Sequence, residues 1–134
     1  MPNTVSVTAR VVCIVDADES VRQGLTRLVD SAGLESKPCD SVEAFLLQAP
    51  TANAACVLLD VSGSRLREPA LQSRVRAMAA MVPVIALSAR DDPETRRIAR
   101  ELGAEAFFRK PVDAAALLDS IDWVTRAEGR SGPS

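Results

Sequence analysis

Five strand-like segments, three of them continuous apolar runs and two weaker and more polar, alternating with five helix-like ones predict a three-layer α/β domain with a doubly wound, five-stranded parallel sheet of order 2-1-3-4-5. Three observations carry that expectation. Residues 11–16, 55–60 and 83–88 are continuous apolar runs rich in β-branched side chains, as strands covered on both faces require. The stretches between strands repeat their apolar residues at helical spacing. The connections are short, and right-handed crossovers then leave few topologies.

Taken in order, strand 11–16 leads to a helix opened by Asp18 or Ser20, with Val21, Leu25, Leu28 and Val29 on one face and Gly33 as its stop. Residues 34–39 form a weaker, more polar strand, which places it at or near a sheet edge. Ser41 opens a second helix presenting Val42, Phe45 and Leu46, and strand 55–60 follows. Pro69 suits the first turn of a third helix carrying Leu71, Val75 and Met78. After strand 83–88, Pro93 starts a fourth helix with Ile98 and Leu102, stopped by Gly103. A second weak strand, 105–109, precedes a last helix with Leu117, Ile121 and Val124. The expected division is an extension over 1–9, one domain over 10–127, and a Gly-, Ser- and Pro-rich tail or linker start over 128–134.

Composition narrows the chemistry. The chain has 134 residues, 47% hydrophobic and 25% charged, enough for one core without metal or disulfide staples. A net charge of −2 argues against direct nucleic-acid binding by this segment. No apolar run reaches the length of a membrane span. Cys13, Cys39 and Cys56 form no CxxC motif, and the chain has no histidine, so cysteine–histidine zinc sites and His-assisted nucleophiles are excluded. Buried free thiols suit a reducing compartment, and a cytoplasmic location is expected.

In an open α/β sheet, ligands sit beyond the carboxyl ends of the strands where strand order reverses, here between strands 1 and 3. That edge receives Asp16 and Asp60, with Ser88 from strand 4 and Lys110 from the end of strand 5. Two carboxylates held together in a cleft repel by several kcal/mol at an effective dielectric of about 20. A protonated acid, the Lys110 ammonium or a hard divalent cation must offset that. Such a cation takes oxygen ligands and leaves positions for phosphate oxygens. A carboxylate can also attack phosphorus, and an ammonium and a hydroxyl would then stabilise the transferred group. The set points to phosphoryl transfer onto Asp60.

With these residues in place the chain resembles the receiver domains of two-component response regulators, the CheY-like branch of the flavodoxin-like folds, and is nearest in texture to FixJ- and NarL-type receivers. The resemblance covers residues 10–127. It rests on Val-Asp at 15–16, Leu-Leu-Asp at 58–60, Val-Ile-Ala-Leu-Ser-Ala at 84–89, and Gly-Ala at 103–104 leading to Phe-Phe-Arg-Lys-Pro at 107–111. It implies that Asp60 is the phosphoacceptor, Ser88 the switch hydroxyl, Phe107 the switch aromatic and Lys110 the phosphoryl-contacting lysine. It further implies Mg2+ held by Asp16, Asp60 and the backbone of Ser62, and a cis peptide before Pro111. A sensor histidine kinase is the implied phosphodonor. Dimerisation through the face of the fourth helix, fifth strand and fifth helix is a family expectation, with Trp123 either contributing there or sitting at the core edge. A DNA-binding output domain outside this chain is also in keeping with the family. No enzymatic turnover is expected beyond self-phosphorylation from small donors and autodephosphorylation, and a hydrolase would need an acid/base and a substrate cap that the sequence does not display.

Three features depart from the family pattern. Ala17 stands where a second acid is usual, which predicts weakened Mg2+ binding; Asp18 either reaches in as a replacement ligand or caps the following helix. The Met-Pro turn and the later glycine usual after the phosphoacceptor are replaced by Val61-Ser62-Gly63-Ser64-Arg65-Leu66-Arg67-Glu68, so that loop takes another shape. Arg90 either overhangs the pocket or pairs with Asp91 or Asp92. The alternative these features leave open is a degenerate receiver, a phosphorylation-independent protein–protein interaction module.

Overall fold

The computed structural model of the chain describes residues 10–48 and 54–130. The elements run β1 (Val11–Val15), α1 (Glu19–Ser31), β2 (Glu35–Cys39), α2 (Val42–Leu47), β3 (Ala54–Asp60), a 3-10 helix (Ser64–Arg67), α3 (Pro69–Ala79), β4 (Val84–Ser88), α4 (Pro93–Glu101), β5 (Ala106–Arg109) and α5 (Ala114–Arg130). All strand pairs are parallel and the sheet order is β2-β1-β3-β4-β5, as the alternation predicts. The two polar strands are the edges. The extension expected over 1–9 and residues 131–134 lie outside the described residues, while α5 continues to Arg130, three residues past the boundary expected at 127. Among the described residues no helix is long and apolar enough to cross a membrane.

Strand side chains alternate between faces, and the core divides accordingly. Cys13, Val15, Val57, Leu59 and Ala86 face a layer containing Phe45, Val75 and Ile98, from α2, α3 and α4. Val12, Ile14, Cys56, Leu58, Ile85 and Leu87 face Leu25 and Val29 of α1 and Leu117 and Ile121 of α5. The three central strands are therefore apolar on both sides, which is why they lack a polar alternation in sequence.

The local punctuation is chemical. Asp18 accepts from Val21 N at 3.2 Å, Ser41 from Ala44 N at 3.0 Å and Asp92 from Thr95 N at 2.7 Å, capping α1, α2 and α4. Pro69 and Pro93 occupy first turns. Gly103 has φ +91°, and a Cβ there would lie 3.3 Å from that of Ala79, so both backbone conformation and space select glycine. The 3-10 helix Ser64–Arg67 is the departure foreseen after Asp60; it brings in α3 without a side-chain cap on its first turn. The peptide between Lys110 and Pro111 is cis.

The cysteines are free and buried. Burial favours the neutral thiol, raising Cys13 from 9.0 to about 11 and Cys56 from 9.0 to about 12. The folded chain thus holds these protons more tightly than the unfolded one. This contribution is intact below pH 9 and is lost as pH rises through the raised values. Urea midpoints are expected to be lower at about pH 10.5 than at about pH 8, and Cys13→Ser with Cys56→Ser should flatten that alkaline slope.

Candidate functional site

Register sets the site. Val15 pairs with Leu59 and Asp60 with Leu87, so the residues ending β1 and β3 stand level at the carboxyl edge of the sheet. Ser88 pairs with Arg109, and its carbonyl accepts from Lys110 N at 2.8 Å, which fixes Lys110 one step beyond β5. Asp16, Asp60 and Lys110 stand two residues beyond Ile14, Leu58 and Phe108, at the carboxyl edge of the sheet. Ser88 stands two residues beyond Ala86, whose register partner is Phe107.

The Lys110 ammonium lies 2.7 Å from Asp16 Oδ2 and 3.4 Å from Asp60 Oδ1, joining the two acids. Asp16 is 2% exposed, and its other oxygen accepts from Asp18 N at 2.9 Å. Its own backbone is pinned twice: its N–H donates to Cys39 O at 3.1 Å and its carbonyl accepts from an Arg22 guanidinium at 2.8 Å. Asp60 Oδ1 accepts from both Ser62 N, at 3.1 Å, and Ser62 Oγ. Asp60 is the more open acid, 18% exposed at its side chain.

Ser88 is fully buried, and its hydroxyl accepts from Arg90 N at 2.9 Å. Phe107 is half-buried beneath the Arg96 guanidinium, 4.6 Å from its ring centroid. Arg96 is itself ion-paired to Asp91. Arg90 pairs with Asp92 at 3.1 Å, the surface arrangement rather than the overhang. Asp18 spends a carboxylate oxygen on the α1 cap. Trp123 is 63% exposed on α5.

A cleft of about 130 Å³ opens at Asp60, lined also by Asp16, Ala17, Glu43, Gly63 and Arg65. Sequence reasoning did not single out Glu43 or Arg65. Glu43 has the ordinary pattern of an acidic first helical turn, and Arg65 sits in a loop whose course local sequence does not dictate. A separate apolar groove of about 520 Å³ lies between α1 and the segment following Lys110.

A hard divalent cation needs oxygen donors. The carboxylates of Asp16 and Asp60 are of the right chemistry, but Ala17 contributes only a methyl. Among the described residues no three His, Cys, Asp or Glu side chains converge as a metal site would demand. The donor set fits such an ion in kind and falls short in number, so water must fill much of its shell.

Comparison with known proteins agrees with this geometry. The family model for the response regulator receiver domain matches residues 12–122. The chain is 32% identical over 122 residues to the transcriptional regulatory protein TdiR of Thauera aromatica, covering 91% of this chain and 54% of that protein. It is 30% identical over 108 residues to the transcriptional regulatory protein FixJ of Azorhizobium caulinodans, covering 81% and 51%. The chain thus spans about half the length of these curated relatives. Among solved structures, the response regulator StyR superposes with a TM-score of 0.76 at 34% identity, over 92% of this chain and 63% of that one. The receiver domain of an HD domain-containing protein from Pseudomonas fluorescens gives 0.80 at 17% identity over 92% and 100%, a likeness of fold alone. An edge that gathers two acids and a lysine at the strand reversal, and a family match across nearly the whole described chain, lead to one conclusion: this chain belongs to the response regulator receiver domain family of two-component signalling systems.

Proposed function

We propose that Asp60 accepts a phosphoryl group and that the pocket around it is built to hold the resulting acyl phosphate. The observation that carries this reading is the Lys110 ammonium bridging Asp16 and Asp60 from three separate strands' ends. Asp60 is the acid with access, since Asp16 is buried and engaged on both oxygens. In the transfer, an Asp60 carboxylate oxygen forms a bond to phosphorus while the bond from phosphorus to the donor breaks. The electron pair leaves with the donor: an imidazole nitrogen of a sensor histidine kinase, which takes up a proton, or the carboxylate oxygen of acetyl phosphate. Hydrolysis later adds water to phosphorus, returns the Asp60 carboxylate and releases phosphate and a proton.

Lys110 balances the charge that accumulates on the phosphoryl oxygens. The Ser88 hydroxyl exchanges the Arg90 N–H it now accepts for a donated bond to a phosphoryl oxygen, and Phe107 moves inward from beneath Arg96. That motion remodels the α4–β5–α5 face, the surface suited to a second copy of the chain. Receiver domains generally bind Mg2+ at this site. Here Asp16, Asp60 and the Ser62 carbonyl would hold the ion, with Ala17 making its binding weak; when bound it supplies positive charge to the transferring oxygens. Asp18 acts as the α1 cap rather than as a ligand. The greater length of the relatives named as transcriptional regulators supports a role as the receiver part of a longer regulator with a separate DNA-binding output.

The test is to incubate the chain with acetyl phosphate and several millimolar Mg2+ and follow intact mass. One phosphoryl group, lost with hydroxylamine as acyl phosphates are, is the expected result. An unmodified chain at saturating donor, with unchanged Trp123 fluorescence in beryllofluoride, would instead support the phosphorylation-independent module.

A further inference from the structure

The cleft at Asp60 contains a cation that the proposed chemistry does not use. On its sheet side the cleft is walled by Asp16, Ala17 and Asp60; across from them stand Glu43, in the first turn of α2, and Arg65, on the 3-10 helix. Arg65 is the only cation among the described residues lining the cleft. Its guanidinium is paired with Glu43 and lies 3.3 Å from Glu68. Glu43 Oε2 is buried and receives no well-aligned hydrogen bond, so among the described residues it faces Arg65 as a counter-charge and little else. The Arg65 side chain is 62% exposed. It is held by these two ion pairs at the mouth of the cleft where Asp60 opens.

Acylation changes the balance. A carboxylate of charge −1 becomes a phosphoryl group of about −2 with three strong acceptor oxygens. Lys110 divides its charge between Asp16 at 2.7 Å and Asp60 at 3.4 Å. In the same cleft the Ala17 side chain provides neither an acid to recruit a metal nor a donor for the new oxygens. A planar guanidinium prefers the paired oxygens of phosphate to a poorly aligned carboxylate. We propose that Arg65 is a phosphoryl-binding residue of this pocket, parked on Glu43 while Asp60 is free and transferred to the phosphoryl oxygens once Asp60 is acylated. The inference rests on Asp60 as phosphoacceptor and adds a ligand that compensates for Ala17. It also gives the switch a second output, because departure of Arg65 leaves a buried Glu43 oxygen without its cation and loosens α2 from the 3-10 helix.

The experiment compares the full chain with Arg65→Gln, Arg65→Lys and Glu43→Gln, using acetyl phosphate as donor and Mg2+ varied from sub-millimolar to tens of millimolar. Arg65→Gln should slow acylation about tenfold at low Mg2+, a smaller loss than for a buried oxyanion donor because the side chain is exposed, and the deficit should shrink as Mg2+ rises. Arg65→Lys should recover part of the rate. Glu43→Gln should raise it about threefold by removing one of the two acids that hold the guanidinium, leaving Glu68. In wild-type protein the Arg65 Nε signal should move on addition of beryllofluoride. Equal rates and Mg2+ dependence in all four proteins, with an unmoved Arg65 signal, overturn the assignment while leaving Asp60 as phosphoacceptor. Absence of acylation in the wild type overturns both. Should Arg65→Gln fold poorly, the lysine and glutamine exchanges and the wild-type Arg65 signal decide the matter.

Discussion

Asp60→Asn is expected to abolish the acyl phosphate outright and, in the same protein, to raise stability rather than lower it. The first effect is chemical: an amide oxygen is no nucleophile toward phosphorus at neutral pH, and Asp16 is too buried and too engaged to substitute. The second is electrostatic. One ammonium now serves two carboxylates, so the Asp16–Asp60–Lys110 cluster carries a net negative charge at a crowded edge. Neutralising Asp60 leaves Lys110 wholly to Asp16, and an Asn oxygen can still accept from Ser62 N. Relief of the repulsion should contribute on the order of 1 kcal/mol after solvent screening, since Asp60 is partly open to water. Intact mass after acetyl phosphate and urea unfolding give the two readouts. Persisting acylation in the variant would move the acceptor elsewhere, and a destabilised variant would deny the strain assigned to the acidic pair.

Lys110→Met should act in the opposite sense on stability. Asp16 is 2% exposed and Lys110 14% exposed at their side chains, so this pair is largely removed from water. Deleting the ammonium leaves a buried carboxylate with only the Asp18 N–H, a loss expected to cost about 3 kcal/mol. Acylation should also slow by about 10²–10³, the scale of removing one fixed cation or donor from a charged transition state. A double variant, Asp16→Asn with Lys110→Met, separates the two roles: it should regain most of the lost stability, because the one carboxylate left without the ammonium is Asp60, which is partly open to water, and none of the lost rate. If the single variant is as stable as wild type, Lys110 is not the partner that makes burial of Asp16 tolerable.

The fold and the acidic core of the site were legible in the chain because both depend on periodicity and strand ends. Runs at 11–16, 55–60 and 83–88 could only be central strands, and alternation with helices placed their polar last residues at one edge. The caps at Asp18 and Ser41 and the positive-φ positions Gly33 and Gly103 follow from bonds made within a few residues. Other features needed the third dimension. Which acid of the pair is accessible depends on the packing of α1 and on Arg22 and Lys110 closing over Asp16.

By itself, then, the sequence determined the layer architecture, the order of strands and the convergence of Asp16, Asp60 and Lys110, since hydrophobic period and register are local properties summed along the chain. Only the tertiary structure decided that Phe107 lies under Arg96 and that Arg65 and Glu43 meet over the cleft. These last are contacts between side chains far apart in sequence, and no local pattern encodes which of many exposed arginines finds which acid.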